Sequence, residues 1–297
     1  MGYENASMNI QWYPGHMTKA RRMITENIKL IDAVCEIVDS RIPVSSRNPE
    51  LDEMTGAKPR LIIFNRVDQA DPSASKAWVA NLKQTGAVVL ETDCKSGKGV
   101  GGFASAVRVL LAEKISYYSS RGQTGRPLRL MVAGIPNVGK SSFINRVAGR
   151  KATAASDKPG VTRGKQWIGI DSGIELLDTP GVLWPKFEDQ TIAENLAFTG
   201  AVRDDIMDIE TLGAKLMLRM KVHYPERIAE RYKLTFENEE GGFDLLVKAA
   251  KNRGFLLPGG NFDTERMAAV LLDEFRGGKL GRITLETAAK DQAGGTS

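Results

Sequence analysis

Gly134-Ile135-Pro136-Asn137-Val138-Gly139-Lys140-Ser141 follows the apolar run Leu128-Arg129-Leu130-Met131-Val132-Ala133 and opens a helix-forming segment, Lys140 to Val147, stopped by Gly149. The octet has the pattern G-x-x-x-x-G-K-[ST]. In such a loop the glycines let backbone N–H groups turn inward around phosphate oxygens at a helix N-terminus, while the lysine reaches the β and γ phosphates and the hydroxyl binds Mg²⁺. The strand before it and the helix after it supply the required context. A second motif, Asn65-Arg66-Val67-Asp68, has the form of a guanine-reading loop and lies upstream, directly after the apolar run Arg60 to Asn65. In the usual chain order the phosphate loop comes first. The inversion describes a nucleotide-binding sheet whose chain order has been circularly permuted.

Outward from these motifs, strands and helices alternate. Ala33 to Asp39, Arg60 to Asn65 and Ala87 to Thr92 read as short buried strands separated by helix-length polar segments. A helix is expected to end near Glu113, with Ser119 to Pro127 as a flexible linker before the strand at Leu128. Two further strands, Gln166 to Ile170 and Ile174 to Leu177, flank the turn Asp171-Ser172-Gly173. The predicted class is α/β: a doubly wound, mostly parallel sheet. Beyond Pro185 the strand signals fade and helical periodicities take over in Thr211 to Val222, Phe243 to Lys251 and Thr264 to Phe275. The expected domains are therefore 1–185, nucleotide-binding, and 186–297, small and all-α.

Composition limits the alternatives. The chain has 297 residues, 42% hydrophobic and 26% charged, which is ordinary for a globular protein, and contains no apolar run long enough to span a membrane. The start has neither a signal-peptide nor a myristoylation pattern, so a cytoplasmic location is expected. Cys35 and Cys94 lack metal-ligand spacing and read as inert, buried thiols. The net charge of +5 is mild. Basic residues cluster at Lys19, Arg21 and Arg22, at Lys215 to Lys233, and at Arg276, Lys279 and Arg282. Charge alone fits a solvated helix face as well as a nucleic-acid footprint, because Glu226, Glu230, Asp273 and Glu274 stand among the bases.

The remaining motifs complete a nucleotide site. Asp178-Thr179-Pro180-Gly181 follows a strand, which suits a carboxylate that holds Mg²⁺ and a glycine N–H that senses the γ-phosphate. Lys158 to Thr162 offers Thr162 as a second Mg²⁺ hydroxyl. Asp68 can accept from guanine N1–H and the exocyclic amine, a donor pair that adenine lacks, so the expected nucleotide is GTP and ATP is disfavoured. Arg66 stands where lysine is usual and can stack on the base. Thr92-Asp93-Cys94-Lys95-Ser96-Gly97 is a looser match to a loop closing over the base. The expected GTP-binding set is Asn65, Arg66, Asp68, Cys94, Lys95, Asn137, Val138, Gly139, Lys140, Ser141, Ser142, Thr162 and Gly181. The expected Mg²⁺ set is Ser141, Thr162 and Asp178.

The chain resembles the circularly permuted ribosome-biogenesis GTPase A family from Met8 to about residue 285. The resemblance rests on Trp12 to Met17 with Lys19-Ala20, Asp39 to Pro43, Ser45 to Pro49, Gly134 to Ser142, Pro159 to Thr162 and Asp178 to Val182. It implies a helical RNA-binding C-terminal domain and a monomer acting on a large ribosomal subunit precursor and its rRNA. It also implies release after hydrolysis stimulated by the subunit. Many GTPases place a water-orienting Gln directly after Asp-x-x-Gly; here Val182 follows, so hydrolysis by the chain alone is expected to be slow. The resemblance makes His16 the candidate that positions water, against the alternative that it only caps or packs beside Trp12 and Pro14; the expected catalytic residues are His16 and Lys140, the latter through the β and γ phosphates. Asn137 in the phosphate loop points to a K⁺ ion near the phosphates. A regulatory GTPase switch whose helical domain binds a protein is the other functional class that fits.

Overall fold

The computed structural model describes residues 15–149, 153–154, 167–170, 173–185, 187 and 189–288, with side chains from Met17 onward except at 153–154. The described residues group into two compact units: one runs through Pro185 and takes up the chain again at Glu286, and the second runs to Leu285.

The first unit is built on seven strands, β1 (Ala33–Asp39), β2 (Arg60–Asn65), β3 (Val88–Thr92), β4 (Leu128–Ala133), β5 (Thr153–Ala154), β6 (Trp167–Ile170) and β7 (Ile174–Asp178). Their order is β3-β2-β1-β4-β7-β6-β5. The strands from β3 to β7 run parallel, and β6 is antiparallel to both its neighbours. β1 is central and all seven of its residues are buried, which suits its apolar residues, while the buried Glu36 and Asp39 are paired with arginines. Along the chain, β1 to β3 grow the sheet in one direction and β4 to β7 in the other. The reversal falls between β1 and β4, where a ligand crevice of a doubly wound sheet belongs.

Six helices accompany the sheet: α1 (Gly15–Asn27), α2 (Pro49–Thr55), α3 (Pro72–Gln84), α4 (Phe103–Leu110), α5 (Ala112–Ser120) and α6 (Lys140–Ala148). α1 buries Met17, Ala20 and Ile24, one stripe at helical spacing, and Ala20 and Ile24 pack with Val34, Leu51, Met131, Leu177 and Val182. Asn48 and Asp71 cap α2 and α3, each followed by a proline at the first helical position. Phe103 of α4 meets Phe143 of α6 edge-to-face, with centroids 5.2 Å apart.

One expectation needs correction. The helix does not end near Glu113; after a break at Leu111 it continues as α5 to Ser120. Asp32 is the reason: Lys114 Nζ pairs with it at 2.6 Å and Tyr118 Oη donates to it at 3.1 Å. The linker shrinks accordingly. Arg126 lies over the Tyr118 ring and Gln123 N–H donates to Tyr118 O, so the segment after α5 is tied down.

The second unit holds α7 (Gln190–Phe198), α8 (Ile209–His223), α9 (Pro225–Tyr232), α10 (Gly242–Arg253) and α11 (Thr264–Arg276). α8 is its centre, packed against α10 and α11, and Gly213 lets α11 approach so closely that a Cβ there would lie 2.4 Å from Ala268 Cβ. No helix among the described residues is long and apolar enough to cross a membrane.

Candidate functional site

The phosphate loop leaves β4 at Ala133 and enters α6 at Lys140. Two glycines are there for lack of space: a Cβ on Gly134 would lie 2.7 Å from Ile37 O, and one on Gly139 would lie 2.5 Å from Asn65 Nδ2. Asn137 adopts φ 58, the left-handed conformation that asparagine tolerates better than most residues. The loop borders a cleft of about 930 Å³ lined also by Arg66, Lys140, Ser141, Ser142, Asp178 and Gly181. Lys140 is buried, and its Nζ donates to Gly134 O at 3.1 Å and Ile135 O at 2.7 Å. Burial lowers its pKa to about 8, with Asp178 pulling the other way.

Asp178 closes the opposite wall at the end of β7. Burial raises its pKa above the ordinary carboxylate value against the opposing effect of Lys140. Its Oδ1 is buried with no hydrogen-bond partner among the described residues, an arrangement that is costly unless a cation completes it. An orphaned carboxylate oxygen sharing a cleft with the Ser141 hydroxyl is a hard-oxygen donor set and fits Mg²⁺. Thr162 lies outside the described residues. His16 falls in the first turn of α1, and its side chain is likewise outside them.

On the base side, Asn65 ties three segments together. Its Nδ2 donates to Val138 O at 2.9 Å, and its Oδ1 accepts from Cys94 N at 3.1 Å and Thr92 Oγ1 at 3.2 Å. Asparagine suits this junction because one short side chain offers both donors and acceptor. Arg66, at φ 63, donates from Nη2 to Asn137 O at 2.8 Å, and its Nε lies 3.5 Å from Asp39 Oδ2. Burial lowers the Arg66 pKa although Asp39 opposes it. Asp68 is exposed and makes no hydrogen bond within the described residues, so its carboxylate is available to a ligand.

The loop after β3 turns on Asp93, whose Oδ1 accepts from the N–H groups of Lys95 and Ser96. Cys94 is buried beneath it. Its N–H is taken by Asn65, its carbonyl accepts from Arg146 Nε at 3.4 Å, and burial raises the thiol pKa.

Two residues that shape the site, Arg146 and Asp39, are given no role there by the sequence, although Asp39 lies in a stretch that carries the family resemblance. Arg146 of α6 also donates to Lys95 O, joining the phosphate helix to the base-side loop. Asp39 binds Arg41 bidentately at 3.0 and 2.8 Å; burial drives its pKa up, but Arg41 and Arg66 override this and leave it below the ordinary value. Only the distances between loops reveal these roles. In the helical unit the structure sorts the basic residues into paired and unpaired ones. Lys215 and Arg219 pair with Glu194, Arg231 with Glu274, and Arg276 with Asp204, so these cations hold helices together. Arg227, Lys233 and Lys279 are exposed and have no ion-pair partner among the described residues.

Comparison with known proteins agrees with this geometry. A family profile described as 50S ribosome-binding GTPase matches residues 129–217. Ribosome biogenesis GTPase A of Bacillus cereus is 46% identical over 280 residues, 94% of this chain and 94% of that one. Its namesake in Thermotoga maritima is 30% identical, covering 93% and 94%. Mitochondrial ribosome-associated GTPase 1 of Mus musculus is 32% identical, covering 93% and 90%. Among solved structures, GDP-bound YlqF superposes with a TM-score of 0.65 at 26% identity, over 91% of this chain and 100% of that one.

Proposed function

Because this chain belongs to the ribosome biogenesis GTPase A family and is a GTPase of ribosome assembly, we propose that it works on a large-subunit precursor in the cytoplasm. In this reading it binds as a monomer in the GTP state and leaves after hydrolysis. The observation that carries it is the cleft in which Lys140, Ser141 and the orphaned Asp178 oxygen face one another, in a chain whose relatives are named for ribosome biogenesis.

The N–H groups of residues 134–141 cradle the phosphates, and Lys140 exchanges the carbonyls of Gly134 and Ile135 for phosphate oxygens. Ser141, Asp178 and Thr162 would hold Mg²⁺, which would supply neutralisation of the charge on the transferred phosphoryl group. Asp68 reads the guanine edge while Arg66 lies on the base, and Gly181 N–H meets the γ-phosphate. His16 orients the attacking water. Asn137, exposed at the rim of the cleft, would hold K⁺, which would supply the positive charge that an arginine finger brings in other GTPases.

Sedimentation with ribosomal subunits tests the whole reading: co-migration with the large subunit is expected to be stronger with a non-hydrolysable GTP analogue than with GDP. Charge reversal at Arg227, Lys233 and Lys279 together is expected to weaken it without changing nucleotide affinity. It should also reduce the logarithmic salt slope by up to about 3 if each cation meets a phosphate. Nucleotide-independent, salt-insensitive association would refute the proposal. Arg231 is unsuited to this test because its reversal breaks the Glu274 pair.

Replacing K⁺ by Na⁺ at constant ionic strength is expected to slow hydrolysis. Equal rates in the two salts would remove K⁺ from the mechanism.

Lys140 gives a pH dependence. In the free site its pKa is about 8, and bound phosphates raise it, so the complex holds more protons than the free protein above that pH. GDP affinity is therefore expected to be full below about pH 8 and to fall by roughly tenfold by pH 9. A flat titration would show that Lys140 binds phosphate without taking up a proton.

A further inference from the structure

Val182, the residue after Gly181, is held on both sides of its peptide. Its N–H donates to Gly134 O at 3.3 Å, and its carbonyl accepts from Asn48 Nδ2 at 3.2 Å. Gly181 itself is pressed against the phosphate loop: a Cβ there would come 2.7 Å from Pro136 Cα and 3.0 Å from Lys140 Nζ. Small displacements of the Val182 peptide therefore move the Gly181 N–H relative to the phosphates.

Asn48 ends a loop anchored by buried residues, with Ile42, Ser45 and Ser46 all at or below 1% exposure, while Val44 is exposed. Ser46 Oγ accepts from Asp39 N at 3.0 Å, and Asp39 binds Arg66. Into this loop comes Glu286, the residue at which the chain rejoins the first unit. Its carboxylate is buried and accepts from Val44 N at 2.6 Å, Ser45 N at 3.0 Å and Ser45 Oγ. Its carbonyl accepts from Trp78 Nε1 at 3.0 Å. Burying a carboxylate costs solvation, which the Val44 and Ser45 N–H groups and the Ser45 hydroxyl offset here. The same loop thus grips both chain crossings, through Val182 three residues before Pro185 and through Glu286 directly after Leu285.

We propose that Glu286 is a positioning residue for GTP hydrolysis, acting through the 44–48 loop and Asn48 on the Val182 peptide, and so on the Gly181 N–H. The inference rests on the reading of Gly181 as the γ-phosphate contact. It gives the segment that follows the helical unit a hand in setting the hydrolytic site, through residues that touch no nucleotide.

The test uses the full chain with E286A, E286Q, N48A and the double variant N48A/E286A, measuring GDP affinity, GTP-analogue affinity and single-turnover hydrolysis. E286A is expected to lower hydrolysis and GTP-analogue affinity by roughly tenfold while GDP affinity stays within about twofold, the size of coupling seen between residues of one network. E286Q, which keeps an acceptor oxygen, is expected to fall between E286A and the parent. The double variant should be no worse than N48A, since both act through one tie. Equal losses for GDP and the GTP analogue would mark a general structural role and overturn the proposal. So would multiplicative losses in the double variant, or unchanged hydrolysis. If E286A does not fold, E286Q decides the matter by the same GTP-to-GDP comparison. G181A separates the two levels: if it spares GTP-analogue affinity, the γ-phosphate reading fails; if it abolishes that preference while E286A and E286Q are silent, only the Glu286 proposal fails.

Discussion

Asp68→Asn is expected to lower GTP affinity by about a thousandfold and to confer binding of xanthosine triphosphate. In the proposed reading the Asp68 carboxylate accepts from two donors of guanine, and hydrogen bonds to a charged group contribute about 1.5–3 kcal/mol each. Losing them costs on the order of 4 kcal/mol, or three decades in affinity. The amide adds a donor facing guanine N1–H, which repels GTP, whereas xanthine presents a second carbonyl that accepts from it. The variant should fold normally, because Asp68 is exposed and has no hydrogen-bond partner to lose among the described residues. The loop around it is set by backbone bonds, Val67 N to Thr92 O and Gln69 N to Arg66 O. Competition binding with GTP, ATP and xanthosine triphosphate measures the switch. Unchanged GTP affinity would take base reading away from Asp68.

His16→Ala is expected to reduce subunit-stimulated turnover by ~10²-fold, the usual scale for a positioned acid–base or orienting group, and to leave GDP affinity nearly intact. The structure sharpens the reason to look at His16. Val182, where other GTPases place glutamine, is buried, and its side chain packs in the cluster that contains Ala20 and Ile24 of α1. It can neither reach a water nor be replaced in that role by a side chain turned toward the core. The same packing brings the helix whose first turn carries His16 against the segment leaving Gly181. Pre-steady-state hydrolysis with and without the large subunit separates the two roles. A variant stimulated as strongly as the parent would leave His16 as a packing residue.

The chemistry of this chain was legible in its sequence because phosphate and base recognition depend on local backbone geometry. Gly134, Gly139, Lys140 and Ser141 lie within one strand–loop–helix turn, and Asn65 to Asp68 at the end of another strand, so residue type and spacing suffice to nominate them. Their order along the chain was enough to establish permutation of the sheet, since strand order does not change when the termini are moved.

The end of α5, the destiny of the basic residues and the ties around the site were not legible, because each is settled by partners far away in sequence. Asp32 extends a helix by binding Lys114 and Tyr118. Glu274 claims Arg231, and Glu194 claims Lys215 and Arg219, so cations that charge alone left open between a solvated face and a footprint serve as bolts. Glu286 reaches back over 241 positions to Ser45, and Asn48 over 134 to Val182. A buried hydrogen bond or ion pair depends on desolvation and on angles fixed by packing. Those quantities come into being only when the chain has folded. The sequence by itself determined which groups are candidates to meet the nucleotide, and the tertiary structure alone decided what holds them in place.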